Sequence, residues 1–187
     1  MITIALLDAC VLYSAILRDL LMRLSNENVF IPKWSETINQ EWTRNLLASR
    51  PDLTPARLQR TCHLMLASNP DSLVTGFEKH ISTLTLPDPE DRHVLAAAIE
   101  SHADVLVTFN LKDFPEALLA PHQIKAIHPD VFLCQCFLDY PLQVLTAIHK
   151  QQQSLKSPPC SMTKFLEVLS QAGLPQTSVN LKEELHP

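Results

Sequence analysis

The 187-residue sequence predicts an α/β fold in which helices cover a parallel sheet, followed by an all-helical tail. Three observations carry that prediction. Residues 2–7 and 104–108 are apolar runs too short for a helix and apolar on both faces, as in strands of a parallel sheet. Segments of helical spacing alternate with such runs, which implies right-handed crossovers. Beyond Pro129 the strand signals stop.

Taken in order, residues 2–7 form a first strand that ends at Asp8. Residues 10–26 are helical, with Val11, Leu12, Ala15, Ile16, Leu20 and Leu24 on one face. Val29-Phe30-Ile31 reads as a second strand, closed by Pro32 because a central strand loses a ladder bond at proline. Ser35 is a fitting N-cap for a helix over 35–49, where Ile38, Trp42 and Leu46 stack and which Pro51 ends. Thr54 followed by Pro55 opens a helix over 54–68. Residues 82–86, with Thr83 and Thr85 alternating with leucines, read as a third strand. Asp88-Pro89-Glu90-Asp91 opens a helix carrying Val94, Leu95, Ala98 and Ile99 to about His102. Strands at 104–108 and 124–127 complete the sheet. Helices follow at 131–138, 142–152, 163–172 and 174–185, with Gln151-Gln152-Gln153-Ser154 and Pro158-Pro159 as a joint. The chain thus divides into an α/β domain, 1–128, and a helical C-terminal domain, 129–187.

Composition narrows the chemistry. Fifteen Lys and Arg against twenty Asp and Glu give a formal charge of −5, so the overall field does not draw phosphate. There are only two glycines, Gly76 and Gly173, far apart, which excludes a dinucleotide fingerprint, a P-loop and a Gly-x-Ser-x-Gly elbow. The five cysteines (Cys10, Cys62, Cys134, Cys136, Cys160) contain no C-x-x-C pair and read as buried thiols rather than a zinc site. No basic leader and no apolar run of spanning length is present, so a soluble cytoplasmic protein is expected.

Ligands of open parallel sheets bind beyond the carboxyl ends of strands. Asp8 ends the first strand, and Asp113 follows the 104–108 strand. Asp91 sits in the first turn of the helix leading into that strand, and Glu41 borders the inward stripe of the 35–49 helix. If the first strand lies beside the fourth, these acids can converge. Two carboxylates about 5 Å apart repel by roughly 3 kcal/mol at an effective dielectric near 20, so convergence calls for a cation. A hard divalent ion with oxygen ligands fits, and it would let an acidic cleft hold a phosphodiester. Each acid also has a purely structural reading. Asp8 can cap the next helix, Glu41 can pair with Arg44 or Asn45, Asp91 can complete a capping box with Asp88, and Asp113 can cap a turn before Pro115.

Together the blocks Leu6-Leu7-Asp8, Asn39-Gln40-Glu41-Trp42, Asp88 through Ala98, and Asp104 through Pro115 resemble the PIN-domain nucleases, in the VapC-type toxin branch. The resemblance spans about residues 2–128, and the later segment is similar to the helical extension of longer family members. It implies a three-layer αβα sandwich with parallel strand order 3-2-1-4-5. It also implies an Mg²⁺- or Mn²⁺-dependent ribonuclease that acts on RNA, is held inactive by a VapB-type antitoxin, and forms a homodimer. Carried over by position, Asp8, Glu41, Asp91 and Asp113 are the catalytic and metal-binding acids, with Thr108 and Asn110 as supporting polar residues. For the fourth acid this chain offers an amide at Asn110 and a carboxylate at Asp113, and we take Asp113.

Arg44, Arg92 and Lys112 neighbour these acids in sequence and are candidate phosphate contacts. His93 reads as a helix-surface residue. Trp42 belongs on a buried stripe, whereas Trp34, just after Pro32, is the more open of the two tryptophans to stacking on bases. Two rival readings stand beside this one. A haloacid-dehalogenase-like phosphatase needs a second Asp two residues after the first, where Cys10 stands. A non-catalytic PIN-like protein would bind a partner through the same fold.

Overall fold

The strands come first, because they fix where every acid can go. In the computed structural model, which describes residues 2–156 and 159–185, they are β1 (Ile4–Leu7), β2 (Ile31–Ser35), β3 (Leu73–Val74), β4 (Val105–Val107) and β5 (Lys125–Ile127). All pairings are parallel and the order is β3-β2-β1-β4-β5. β1 is central, and its Ala5, Leu6 and Leu7 are fully buried, as a strand covered on both faces requires. Its register against β4 (Ala5↔Val105, Leu6↔Leu106, Leu7↔Val107) brings the carboxyl ends of the two strands level.

The helices of the α/β part are α1 (Ala9–Tyr13), α2 (Ala15–Asn26), α3 (Glu36–Ser49), α4 (Pro55–Ser68), α5 (Glu78–Ile81), α6 (Arg92–Glu100) and α7 (Glu116–Leu119). Ser35 caps α3 by accepting from the Ile38 N–H, and Thr54 caps α4 from the Arg57 N–H. The helix expected over 10–26 is two helices, broken at Ser14, whose ψ of 115° is extended.

Two strands differ from the sequence reading. β2 runs through Pro32 although it is an inner strand. The Ile31 N–H points to β1, bonding Thr3 O at 2.9 Å, so position 32 faces the other way. There β3 begins to pair only at Trp34, and the N–H that proline lacks has no acceptor to miss. The third strand is Leu73–Val74, not 82–86. Leu84 and Leu86 are indeed buried, but with the edge taken by Leu73 and Val74 this segment has no ladder to join.

The tail comprises α8 (Pro129–Asp139), α9 (Pro141–Ser154), α10 (Met162–Gln171) and α11 (Pro175–Leu185). It shares the core rather than hanging from it. Phe132 meets Phe30 edge-on at 5.1 Å, and Gln151 Nε2 donates to Ile16 O at 2.8 Å. Gln151 is buried and Gln151–Ser154 are the last turn of α9, so the expected joint there is helix, while Pro158 lies outside the described residues. Among the described residues no single helix is long and apolar enough to cross a membrane.

Both tryptophans are fully buried, which removes Trp34 as a stacking platform. Arg18 lies 4.4 Å above the Trp42 ring, and Trp42 Nε1 donates to Asn39 Oδ1 at 3.1 Å. One polar staple sets the pose of the tail. The buried Asp130 carboxylate on α8 accepts from Gln176 N (2.9 Å), Thr177 N (2.8 Å) and Thr177 Oγ1 (2.7 Å) in the first turn of α11. Asp130→Ala strands all three donors, and urea denaturation is expected to show a loss of about 2–4 kcal/mol.

Candidate active site

Asp8 follows β1 directly, and its N–H still bonds Val107 O across to β4 at 3.1 Å. Its carboxylate is almost wholly buried. Oδ1 accepts from Ala9 N at 2.6 Å, so Asp8 does cap α1, while Oδ2 accepts from Thr108 Oγ1 at 2.7 Å and Cys10 Sγ at 3.1 Å. Thr108 is fully buried and in turn accepts from the Asn110 N–H at 3.0 Å. Burial pushes the Asp8 carboxyl up more than these donors pull it down, and the charge on Glu41 adds to the rise.

Glu41 lies in the second turn of α3, between buried Ile38 and Trp42. Its partner is neither Arg44 nor Asn45 but His93, with Nε2 3.4 Å from Glu41 Oε2. His93 is therefore no surface residue. Its side chain is 15% exposed, and the buried Nδ1 has no hydrogen-bond partner among the described residues.

Asp91 immediately precedes α6, yet its side chain makes no capping bond. Asp88 caps the 3-10 turn Pro89–Asp91 that leads into α6, accepting from Glu90 N at 2.9 Å. Asp91 is left facing its neighbours, and its carboxyl is pushed up to about 6 by burial first, then by the charges of Asp8, Asp88, Asp113 and Glu41. Asp113 closes the 3-10 turn Leu111–Asp113 after β4, its N–H bonded to Asn110 O at 3.0 Å. The charges of Asp8, Glu41 and Asp113 all reach Asp91, and that of Glu41 also reaches Asp8, near the carboxyl ends of β1 and β4. Thr108 touches Asp8 directly, whereas Asn110 contributes through its backbone and keeps an exposed side chain.

The basic candidates are less engaged. Arg92 Nε donates to Pro89 O at 2.9 Å, closing its own turn, and Arg44 and Lys112 are exposed. Among the described residues no Lys or Arg forms an ion pair with Asp8, Glu41, Asp91 or Asp113. A cation from outside the chain would therefore relieve the repulsion, and the donors are carboxylate oxygens, which suit a hard divalent ion. Among the described residues no three His, Cys, Asp or Glu groups ring one point.

Two members of the site escape a reading of the sequence. Cys10 stands two residues after Asp8, where the first helical turn folds it back to donate to Asp8; burial pushes its thiol up to about 12, so it is a neutral donor and not a nucleophile. His93 stands two residues after Asp91, and only the packing of α6 against β1 and β2 discloses its place against Glu41.

Residues 5–112 match the family model described as PIN domain, and residues 129–183 match the model described as VapC50 C-terminal domain. A stretch of 69 residues is 49% identical to a protein of Mycobacterium tuberculosis (strain ATCC 25618 / H37Rv) named "Putative ribonuclease VapC50". The match covers 35% of this chain and 41% of that relative, less than half of either. No solved structure matches.

Proposed function

The chain belongs to the PIN-domain family, and from that premise we propose that it is a divalent-cation-dependent endoribonuclease and the toxin of a VapBC-type pair. The observation that carries the reading is Asp91, pushed up to about 6 in company with three other acids and with no Lys or Arg paired to any of them among the described residues. Acids so placed bind a cation or give up charge, and the relative's name points to ribonuclease chemistry.

When bound, Mg²⁺ or Mn²⁺ supplies the Lewis acidity that readies a water for attack and neutralises charge on the leaving oxygen. Asp8, Glu41, Asp91 and Asp113 would hold the ion. Thr108 and Cys10 donate to one oxygen of Asp8 and Ala9 to the other, so this carboxylate presents its remaining lone pairs in a fixed direction. His93 Nε2 stands 3.4 Å from Glu41 Oε2, beside one oxygen of that carboxylate. Water attacks phosphorus in line and the bond to the 3′ oxygen breaks. The 3′ oxygen takes up a proton, giving a 5′-phosphate and a 3′-hydroxyl. Arg44 and Lys112, exposed and close in sequence to Glu41 and Asp113, are proposed to meet flanking phosphates. The reading includes RNA as substrate, a VapB-type antitoxin as inhibitor and a homodimer as the working unit.

Incubation of the purified chain with a mixed RNA pool tests it. Cleavage is expected with Mg²⁺ or Mn²⁺, with 5′-phosphate and 3′-hydroxyl ends, and none in excess EDTA. Full cleavage in EDTA, or none with either ion, sinks the proposal, and the second result would leave a non-catalytic partner-binding protein. Growth arrest on expression, relieved by the product of an adjacent small gene, tests the toxin role separately.

A further inference from the structure

The loop that carries Thr108, Asn110 and Asp113 has a second attachment, through Phe109. Phe109 stands between Thr108 and Asn110, and its N–H donates to Cys10 Sγ at 3.4 Å. Its ring meets the His128 ring edge-on, with centroids 5.0 Å apart and planes at 82°. Against the same ring lies the backbone of Gly173, between α10 and α11. A Cβ placed on Gly173 would stand 2.7 Å from Phe109 Cε1 and 3.1 Å from Cζ, closer than carbon atoms approach without one of them moving. The φ of Gly173 is also +92°, so glycine meets both a backbone need and a space need here.

Both partners of the Phe109 ring are held firmly. His128 Nδ1 accepts from Asp130 N at 3.2 Å, and the Asp130 carboxylate takes the donors of Gln176 and Thr177 at the head of α11. Leu174, next to Gly173, is fully buried and bonds back to Leu169 O at 3.2 Å. The tail therefore presents a fixed wall to one side chain of the loop. On the other face of that loop, Thr108 gives its hydroxyl proton to Asp8 and takes the Asn110 N–H.

We infer that the helical tail braces the catalytic loop, with Gly173 seating Phe109 so that Thr108 stays on Asp8. Phe109 is then a positioning residue for the reaction, and the tail is part of the apparatus that sets the acids. The inference rests on the ribonuclease reading for its kinetic consequence, but its structural content does not depend on that reading. Displacement of a positioned group by about 1 Å can cost on the order of 100-fold in rate, so a small shift at Phe109 is enough to be seen.

The test uses the full chain and two readouts, amide hydrogen exchange over residues 108–114 and steady-state RNA cleavage. Gly173→Ala is expected to speed exchange in that loop relative to α10, and to lower kcat about 10- to 100-fold with KM little changed. In a Phe109→Leu background, which makes room for the added methyl, the same Gly173→Ala change is expected to leave loop exchange and kcat where Phe109→Leu alone puts them. The melting temperature falls in both backgrounds, since the positive φ strains alanine regardless. A lowered melting temperature with unmoved loop exchange, or an equal kcat loss in both backgrounds, overturns the inference and leaves Gly173 a plain packing residue. Should Gly173→Ala not fold, Phe109→Ala keeps the tail intact and is expected to loosen the loop, and a loop still protected in that variant overturns it as well. If the unaltered chain cleaves no RNA, the ribonuclease reading fails while hydrogen exchange still decides the brace.

Discussion

Asp8→Asn lowers RNA cleavage by at least about a thousandfold, equivalent to roughly 4 kcal/mol of transition-state stabilisation, and leaves the fold in place. The change removes the negative charge from the most buried acid of the cluster but keeps one oxygen to accept from Ala9 or Thr108. Because burial pushes the native carboxyl up, charging it opposes folding, and a neutral amide relieves that cost. The melting temperature at pH 7 is therefore expected to hold or rise as activity disappears. Isothermal calorimetry should show Mn²⁺ binding to the unaltered chain and none to the variant. Retained cleavage in Asp8→Asn would exclude the acid cluster as the site of chemistry.

Affinity for Mn²⁺ falls about tenfold for each pH unit below about 6, because the proton on Asp91 competes with the ion. The same group sets an opposite trend for the cation-free protein. Its carboxyl is pushed up from 3.8 to about 6, so between those values the folded chain holds more protons than the unfolded one. Stability without cation consequently declines as pH rises from about 4 to about 6, and saturating Mn²⁺ cancels that slope. Asp91→Asn should flatten both trends. Thermal melts across pH with and without Mn²⁺ measure them in one series, and a flat profile in the unaltered chain would show that Asp91 titrates as an ordinary surface acid.

Much of the arrangement is readable from the sequence where a physical signal is strong. The apolar run ending in Asp8, the Ser35 and Thr54 caps and the strand at Val105–Val107 all lie where residue pattern puts them. Sequence pattern falls short where a partner decides. β3 has two residues and no periodicity, so nothing local distinguishes it from a turn, and the better alternation at 82–86 goes unused because its edge is occupied. Pro32 misleads because the rule against proline concerns a missing donor, and here the donor would face a gap. The acids are legible as candidates from where they stand relative to strands and helix starts, and Thr108 with them, whereas the contacts of His93 and Phe109 are not. His93 reaches Glu41 from another helix, and Phe109 gains its meaning only from Gly173, 64 residues on.

Phe132 of the tail packing edge-on against Phe30 beside β2 bears on where the chain can be cut. The two stretches matched by separate family descriptions share one interior, so neither is a self-contained unit. Trimming the chain before Pro129 would leave the Phe30 ring bare to water, and the shortened protein is expected to clump.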